Sequence, residues 1–556
     1  MLKRVNKLLN FKYFIFYLII LYGGVLRFWG IDKNQIFADE VHTLKSAAEN
    51  SFSWIFTHFG VQDTCIPLTL YNKFFIETIG LNEWIFRMPS LICGTVLLLA
   101  VSHFMAKRFS LIEQIFVIGI LAVSPYFVYL SREARPYIII TLFIWLALVL
   151  VMKWRINRNA LELLSASVFS ALAIYFHPVV LPVVIIIGCY PLVFLFYEKA
   201  PKHHWVQFAA AAILFGLILA CLMLPPALSL SNGISHKGGK GIAGLETIQD
   251  GLSLLHGLPI NFPLWVWGLL LFFGGVSLFK RFPHETLFML AAGALQLLVL
   301  FVFQPRKMEI PWVWLRYVVH LLPWFIIACI AGFISIISFL NPINKKTSLP
   351  VFCSMVIIVC WAAWHMNERD YGIFSTSSYN VHPMILMIDK DRKHINNFSP
   401  VAEFYQSFPT VLQQGHIIEA PMLFTFPLYQ FYQLIHGQNY QTAGVGSGYA
   451  QNIFNDHDGL KFKSAHRLAK NSIQGPDGNK FLIVHKRIGE EMVSAYECFC
   501  KNKYESKQLF GMEYLFKPTV LNSLFGNDGF IDPLVLNISG QKVFEDEWVA
   551  VYKLDL

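Results

Sequence analysis

Charged residues are scarce in this chain. Of its 556 residues only 14% are Asp, Glu, Lys or Arg, whereas 55% are hydrophobic. An average soluble domain carries about 25% charged residues, so this composition excludes an ordinary soluble enzyme and indicates an integral membrane protein. The 9 cysteines are too few for a disulfide scaffold, and most lie in apolar runs, where a thiol is a small hydrophobic group.

Nucleotide and metal motifs are also missing from the sequence. It contains no Walker loop and no dinucleotide fingerprint, which counts against direct use of a nucleotide. No predicted helix carries paired histidines at metal-binding spacing, so we assign no metal ligand, although a divalent metal stays open as a cofactor. The net charge of +9 lies largely in short loops, where it indicates membrane orientation and not nucleic-acid binding.

Long apolar runs, by contrast, are abundant. A bilayer is crossed by about 20 apolar residues, and runs of this length predict about eleven membrane-spanning helices. They lie at roughly 11–29, 86–105, 111–130, 136–152, 161–176, 178–197, 207–228, 262–280, 285–304, 317–340 and 349–364. The first run follows a basic segment that lacks a small-residue cleavage site, which predicts an uncleaved span.

Basic residues in the short loops predict the orientation. Lysine and arginine accumulate in cytoplasmic loops, and here they recur in every second loop, from Lys107 and Arg108 to Lys345 and Lys346. The alternate loops are longer and hold the acidic residues. We therefore expect a multi-pass membrane protein with a cytoplasmic N-terminus and its C-terminal part outside.

The composition divides the chain into two predicted domains. Residues 1–365 form a predicted transmembrane domain with an outer loop at 30–85, in which Pro67 begins an amphipathic helix that lies in the membrane interface or packs on the protein itself. The mixed polar residues 366–556 suit one small α/β domain. Its predicted strands are 481–484 and 548–552, and 401–414 is a predicted helix.

An acidic pair, Asp39 and Glu40, directly follows the first predicted span. A carboxylate at the membrane surface can act as a general base toward an acceptor hydroxyl. A solvated acidic loop is the alternative interpretation, and the position of the pair just after a span favours a functional one.

Cations gather on the same predicted outer face. Arg132 and Arg135 lie in a very short outer loop, against the orientation rule, which leaves contact with a phosphate and snorkelling beside Glu133 as the two interpretations. Arg316 and Tyr317 begin a late span and suit either phosphate binding or membrane anchoring. His177 could contact a sugar or a phosphate, although a lone histidine at a span boundary is more often structural.

Several of these segments together resemble the GT-C superfamily of polyprenyl-phosphate-sugar-dependent glycosyltransferases, including protein O-mannosyltransferases and the aminoarabinose transferases of lipid A. The matching segments are Asp39-Glu40, Arg87-Met88-Pro89-Ser90, Arg132 to Tyr137 and Arg316-Tyr317, over roughly residues 10–340. The resemblance implies a catalytic aspartate, matched by Asp39, and a donor that enters from the bilayer. The chain departs from the family pattern His-Pro-Pro-Leu-Tyr, since its first loop reads from Asp63 to Tyr71 without a histidine.

The residues and the resemblance together predict an inverting glycosyltransferase on the outer face of a bacterial inner membrane, which moves a sugar from a polyprenyl phosphate to a lipid, glycan or protein of the cell envelope. Asp39 is the expected base, with Glu40 in support. Arg132, Arg135, Arg316 and Tyr317 are the expected phosphate-binding residues, and Tyr137, His177 and Asp63 the candidate substrate contacts. A secondary transporter and a non-catalytic scaffold for envelope assembly are the alternatives. The transporter would require ionisable residues near the middle of its spans.

Overall fold

The computed structural model of the chain describes residues 2–28, 31, 40, 43, 46–47, 50–60, 64–79, 83–229, 241–256, 262–305, 308–340, 416–420, 480–486 and 540–554. The chain divides into two compact units. The first comprises Met1–Trp29, Phe56–Leu68 and Pro89–Arg369, and the second comprises Gly30–Ile55, Thr69–Met88 and Asp370–Leu556. The predicted domain boundary at 365/366 stays a prediction.

The described part of the chain is mainly helical. Its α-helices are α1 (Leu2–Phe28), α2 (Phe52–Thr57), α3 (Ile66–Thr78), α4 (Glu83–Ala106), α5 (Leu111–Val123), α6 (Pro125–Arg132), α7 (Tyr137–Asn157), α8 (Ala160–Phe176), α9 (Leu181–Tyr197), α10 (Lys202–Leu228), α11 (Leu245–His256), α12 (Leu264–Arg281), α13 (Pro283–Phe303), α14 (Pro311–Val318) and α15 (Leu322–Leu340). Pro67 is the second residue of α3, as expected for the start of that helix.

The helices form a polytopic membrane protein. Within the described residues, 7 helices or joined helices are long and apolar enough to cross a membrane, and the bent pair α5–α6 raises the number to 8. Two shorter apolar helices, Phe16–Phe28 and Ala160–Phe176, coincide with further predicted spans. The predicted span at 349–364 lies outside the described residues, so the count of about eleven is not confirmed.

Local sequence explains the break between α5 and α6. A capping box begins α5: the Ser110 hydroxyl accepts from the Glu113 amide, and the Glu113 carboxylate accepts from the Ser110 amide. At the other end Ser124 closes α5 and caps α6, whose first residue is Pro125. The two helices meet at 52°, which directs α6 and the segment after it away from the axis of α5.

Glycine allows α12 and α15 to pack with their backbones in contact. A Cβ on Gly274 would lie 1.9 Å from the Ala328 carbonyl oxygen, and one on Gly332 would lie 1.9 Å from the Leu270 carbonyl oxygen. No side chain fits at either position without separating the helices. Small residues of this kind are the usual means of close helix packing within membranes.

A four-stranded sheet belongs to the second unit. Its strands are β1 (His416–Ala420), β2 (Lys480–His485), β3 (Gly540–Glu545) and β4 (Val549–Leu554), in the order β1-β2-β4-β3. β1 pairs in parallel with β2, whereas β4 is antiparallel to both β2 and β3. The predicted strands 481–484 and 548–552 are confirmed as β2 and β4. The predicted helix 401–414 lies outside the described residues.

Candidate functional site

A buried ion pair joins two distant segments of the first unit. Arg316, in α14, donates from Nη2 to Glu133 Oε1 over 3.4 Å, and the two residues are separated by 183 positions in sequence. Their side chains are 5% and 3% exposed. The pair places the arginine of the Arg-Tyr segment beside the short connection between α6 and α7.

Two aromatic rings contact the same guanidinium. The Cζ atom of Arg316 lies 4.4 Å from the ring centre of Trp312 and 5.1 Å from that of Tyr137. Tyr137 in turn contacts the His177 ring at 5.8 Å between centres. Cation–π contacts fix the plane of a guanidinium as well as its position. Two of the predicted substrate contacts, Tyr137 and His177, therefore lie together and next to Arg316.

Two further arginines tie α6 to α1. Arg132 donates from Nη1 to the Leu26 carbonyl oxygen (2.9 Å), and Arg27 donates from Nε to Ser131 Oγ (3.2 Å). Arg27 also donates to the carbonyl oxygen of Gly23, in α1, and to those of Ala122 and Leu121, at the end of α5. Arg132 is 7% exposed and Arg27 2% exposed. This burial argues against the snorkelling interpretation, in which an arginine reaches out toward water.

The Arg135 backbone contacts α4. Ser90, in α4, donates from Oγ to the Arg135 carbonyl oxygen over 3.1 Å, and the arginine is 8% exposed. Gly94, one turn farther along α4, lies so close to Ser131 that a Cβ there would be 2.1 Å from the serine hydroxyl. The α6–α7 connection is thus fixed by α1, α4 and α14 together.

We call Arg132, Glu133, Arg135, Tyr137, His177, Trp312 and Arg316 the arginine cluster. Guanidinium groups bind phosphate oxygens two at a time through a planar fork. Burial lowers the effective dielectric constant, so that each such contact is stronger than it is in water. Chemically, the arginine cluster suits an anion with several oxygens bound beside aromatic rings.

Glu40 lies in the second unit, where it forms an ion pair with Arg87. Arg87 donates from Nε to Glu40 Oε1 (3.0 Å) and from Nη2 to Oε2 (2.7 Å), which is a bidentate pair. Both side chains are 5% exposed. Arg87 also donates from Nη1 to the Ile31 carbonyl oxygen (2.8 Å). Through these contacts Arg87 holds Glu40 and the Ile31 backbone at fixed positions relative to α4.

Lys73 forms further polar contacts within the second unit. Lys73, in α3, donates from Nζ to the Ala47 carbonyl oxygen (3.2 Å) and to Glu77 (2.7 Å). Nearby, Tyr71 donates its hydroxyl to the Ile85 carbonyl oxygen (3.0 Å), and burial raises the pKa of this phenol. Tyr71 therefore stays protonated at neutral pH and acts as a hydrogen-bond donor.

Three predicted site residues remain, Asp39, Asp63 and Tyr317. Asp39 and Asp63 lie outside the described residues. Tyr317 is partly exposed, and its carbonyl oxygen accepts from Gln296 Nε2 over 2.8 Å. Among the described residues, no group of three His, Cys, Asp or Glu side chains is arranged to hold a metal ion.

Sequence reasoning missed two members of this arrangement. A tryptophan near the start of a span is usually an interfacial anchor, but the Trp312 ring lies 4.4 Å from the Arg316 guanidinium. Its position four residues before Arg316 on the same helix was the available signal. Arg27 was not singled out, although an arginine at the predicted outer end of a span violates the orientation rule in the same way as Arg132.

No protein-family model matches the chain, and no curated protein matches it. Solved structures do. The chain is similar to ArnT from Cupriavidus metallidurans in the apo state, with a TM-score of 0.46, 11% identity and coverage of 96% of this chain and 97% of that one. The same protein bound to undecaprenyl phosphate gives a TM-score of 0.44 at 11% identity, with the same coverage.

The chain is also similar to the oligosaccharyltransferase of Archaeoglobus fulgidus in the apo form. The TM-score is 0.40 at 12% identity, with 90% of this chain and 72% of that chain covered. With identities of 11–12% and TM-scores below 0.5, the likeness assigns no activity and no residue role to this chain.

Proposed function

We propose that the protein is a glycosyltransferase that moves a sugar from a polyprenyl-phosphate donor to a lipid, glycan or protein acceptor, on the outer face of a bacterial inner membrane. The observation that carries the proposal is the Glu133–Arg316 pair. It gathers the Arg-Tyr segment and the Arg132–Arg135 segment at one place in the first unit, as a shared role toward a phosphate requires.

The proposed reaction is a single inverting displacement. The acceptor oxygen forms a bond to the anomeric carbon of the sugar while the bond from that carbon to the phosphate oxygen breaks. Asp39 takes the proton of the acceptor hydroxyl. Polyprenyl phosphate leaves with an added negative charge, and it needs cations more than a proton donor.

The arginine cluster supplies those cations in the proposal. Arg316 is oriented by Glu133 and by its two aromatic neighbours before any substrate arrives, so little reorganisation is left for the reaction itself. Preorganised groups of this kind are commonly worth about 3–4 kcal/mol each in catalysis. Tyr137 and His177 would contact the sugar or its phosphate, and Glu40, through Arg87, would position the acidic segment.

The test is a comparison of envelope glycans and lipids by mass spectrometry in a strain without the gene. Wild-type protein should restore a mass increment of one sugar residue on an envelope component. Asp39→Asn and Arg316→Gln should not restore it, whereas Glu77→Gln, which alters a half-exposed carboxylate, should. Identical profiles with and without the gene would disprove the function, and turnover by Asp39→Asn would remove Asp39 from its role.

A further inference from the structure

An apolar cavity lies among four helices of the first unit. Its volume is about 240 Å³, and α7, α8, α9 and α10 form its walls. Its lining includes Leu163, Ser170, Ile187, Gly188, Phe208 and Phe215. The cavity is open on one side, since Leu181 and Ile185 in its lining are 46% and 49% exposed, and apolar surface of this kind gains packing contacts when a chain fills it. A cavity of this size inside a membrane protein is therefore a place for hydrocarbon.

One wall of the cavity consists of a poorly covered helix. Of the most apolar 18-residue segment of α10, only 6% is buried, which is the smallest buried share among the described spans. On α10, Ile213 and Leu217 are 62% and 59% exposed, so the helix presents a wide apolar surface to lipid. Hydrocarbon chains of the bilayer thus have access to the helix that closes the cavity.

A polar network joins α7 and α10 beside the cavity. Trp154 donates from Nε1 to Gln207 Oε1 (3.1 Å), and Gln207 donates from Nε2 to the Arg158 carbonyl oxygen (3.3 Å). These contacts join the end of α7 to the beginning of α10. Val151 and Phe208 line the cavity next to this network, Val151 one helical turn before Arg155, which is about 6 Å along α7.

The same end of the helices carries an excess of positive charge. Arg155 pairs with Glu285 at 3.5 Å, and Arg158 pairs with Glu198. Three lysines at this end, Lys153, Lys199 and Lys202, form no ion pair within the described part of the chain. Lys199 and Lys202 are exposed. Their ammonium groups can reach a headgroup while their stems lie along apolar surface.

We propose that this cavity and its basic end form a binding site for an anionic glycerophospholipid, separate from the arginine cluster. Part of one acyl chain fills the cavity, and the lipid phosphate meets Lys199 and Lys202. Lys202 precedes Phe208 by six residues, about 9 Å along a helix, so one lipid can reach both. Basic pockets between spanning helices bind anionic headgroups in this way.

Native mass spectrometry of the full-length protein from nanodiscs tests the proposal. The probes are phosphatidylglycerol and phosphatidylcholine with identical acyl chains. Gly188→Leu places a side chain in the cavity at a position where a Cβ meets no atom within 4 Å, and Gly216→Leu, equally open but outside the cavity lining, is the matched control. A double variant, Lys199→Ala with Lys202→Ala, removes the headgroup contacts, and Lys280→Ala is its control.

Wild-type protein should retain phosphatidylglycerol about tenfold more than phosphatidylcholine. Gly188→Leu should lower retention of phosphatidylglycerol about tenfold, and the lysine double variant should abolish the preference between the two lipids, with both controls unchanged. Equal retention of the two lipids by wild type, or normal binding by Gly188→Leu, would overturn the proposal. A competition experiment gives a further test. If undecaprenyl phosphate displaced phosphatidylglycerol, while neither undecaprenol nor cardiolipin did so, the proposal would also be overturned, because the cavity would then bind a polyprenyl phosphate.

Discussion

Glu133 and Arg316 form a buried ion pair across 183 positions of sequence. With side chains 3% and 5% exposed, neither charge has bulk water to replace its partner. The pair determines where the arginine of α14 lies relative to the α6–α7 connection, and several measurable consequences depend on it.

Replacing Glu133 with Gln should destabilise the first unit strongly. The change keeps the shape of the side chain but leaves the Arg316 charge without its carboxylate, a loss that costs about 3–5 kcal/mol for buried pairs. Thermal unfolding in detergent would measure it. Glu77→Gln, at a half-exposed pair with Lys73, should change stability by less than about 1 kcal/mol; equal effects of the two changes would contradict the prediction.

Replacing Trp312 with Leu should weaken binding of a polyprenyl phosphate by about 30-fold. The indole lies 4.4 Å from the Arg316 guanidinium, and a desolvated cation–π contact is worth about 2 kcal/mol. Titration of purified protein with undecaprenyl phosphate would measure the affinity. Trp265→Leu, at a residue 66% exposed on α12, serves as the control. Unchanged affinity in Trp312→Leu would show that the stack does not orient Arg316 for phosphate.

Replacing Gly94 with Ala should disturb the α6–α7 connection. The new Cβ would lie 2.1 Å from Ser131 Oγ, the atom that accepts from Arg27, so that Ser131 or α4 has to move. Overpacking of this kind costs about 1–3 kcal/mol. Gly24→Ala, where the Cβ meets no atom within 4 Å, should instead be neutral or stabilising. Comparison of the two melting temperatures tests both expectations.

Replacing Gly274 with Ala should separate α12 from α15. Its Cβ would overlap the Ala328 carbonyl oxygen at 1.9 Å, and backbone cannot rotate away as a flexible side chain would. We expect a loss of about 1–3 kcal/mol in unfolding experiments. Gly268→Ala lies on the same helix with no atom within 4 Å and is the matched control; if it were equally destabilising, helix contact would not be the cause.

Acidification should destabilise the protein through His256, at the end of α11. Burial lowers the pKa of its imidazole to about 4, whereas the unfolded chain protonates it near 6.5. Between these values only the unfolded state binds the proton, so stability falls as the pH drops from about 6.5 to 4, by about 3 kcal/mol. His256→Gln should flatten this part of the pH profile, and His203→Gln, at an exposed histidine, should leave it unchanged.

Much of the helical architecture could be predicted from the sequence because a spanning helix is defined locally. Its length and hydropathy are set by its own residues and by the bilayer thickness. The predicted runs at 136–152 and 285–304 accordingly match α7 and α13 closely. The strands β2 and β4 were predictable for a similar reason, since β-branched and aromatic residues are concentrated there.

The site was only partly predictable. Arg132, Arg135 and Arg316 stood out because arginine at the outer end of a span needs a reason. Nothing local, however, distinguishes Glu133 as a neighbour of Arg132 from Glu133 as the partner of Arg316, because a carboxylate binds either guanidinium equally well. The sequence likewise allows two roles for Trp312, an anchor in the membrane interface or a ring that stacks on a cation.

The sequence by itself determined that this is a membrane protein, where most of its apolar helices lie and which cations are unusual, because hydropathy and charge act residue by residue. Only the tertiary structure decided that Glu133 pairs with Arg316, that Glu40 pairs with Arg87, and that an apolar cavity opens among α7 to α10. Those outcomes depend on which helices pack together, and packing is set by the fit of many side chains at once.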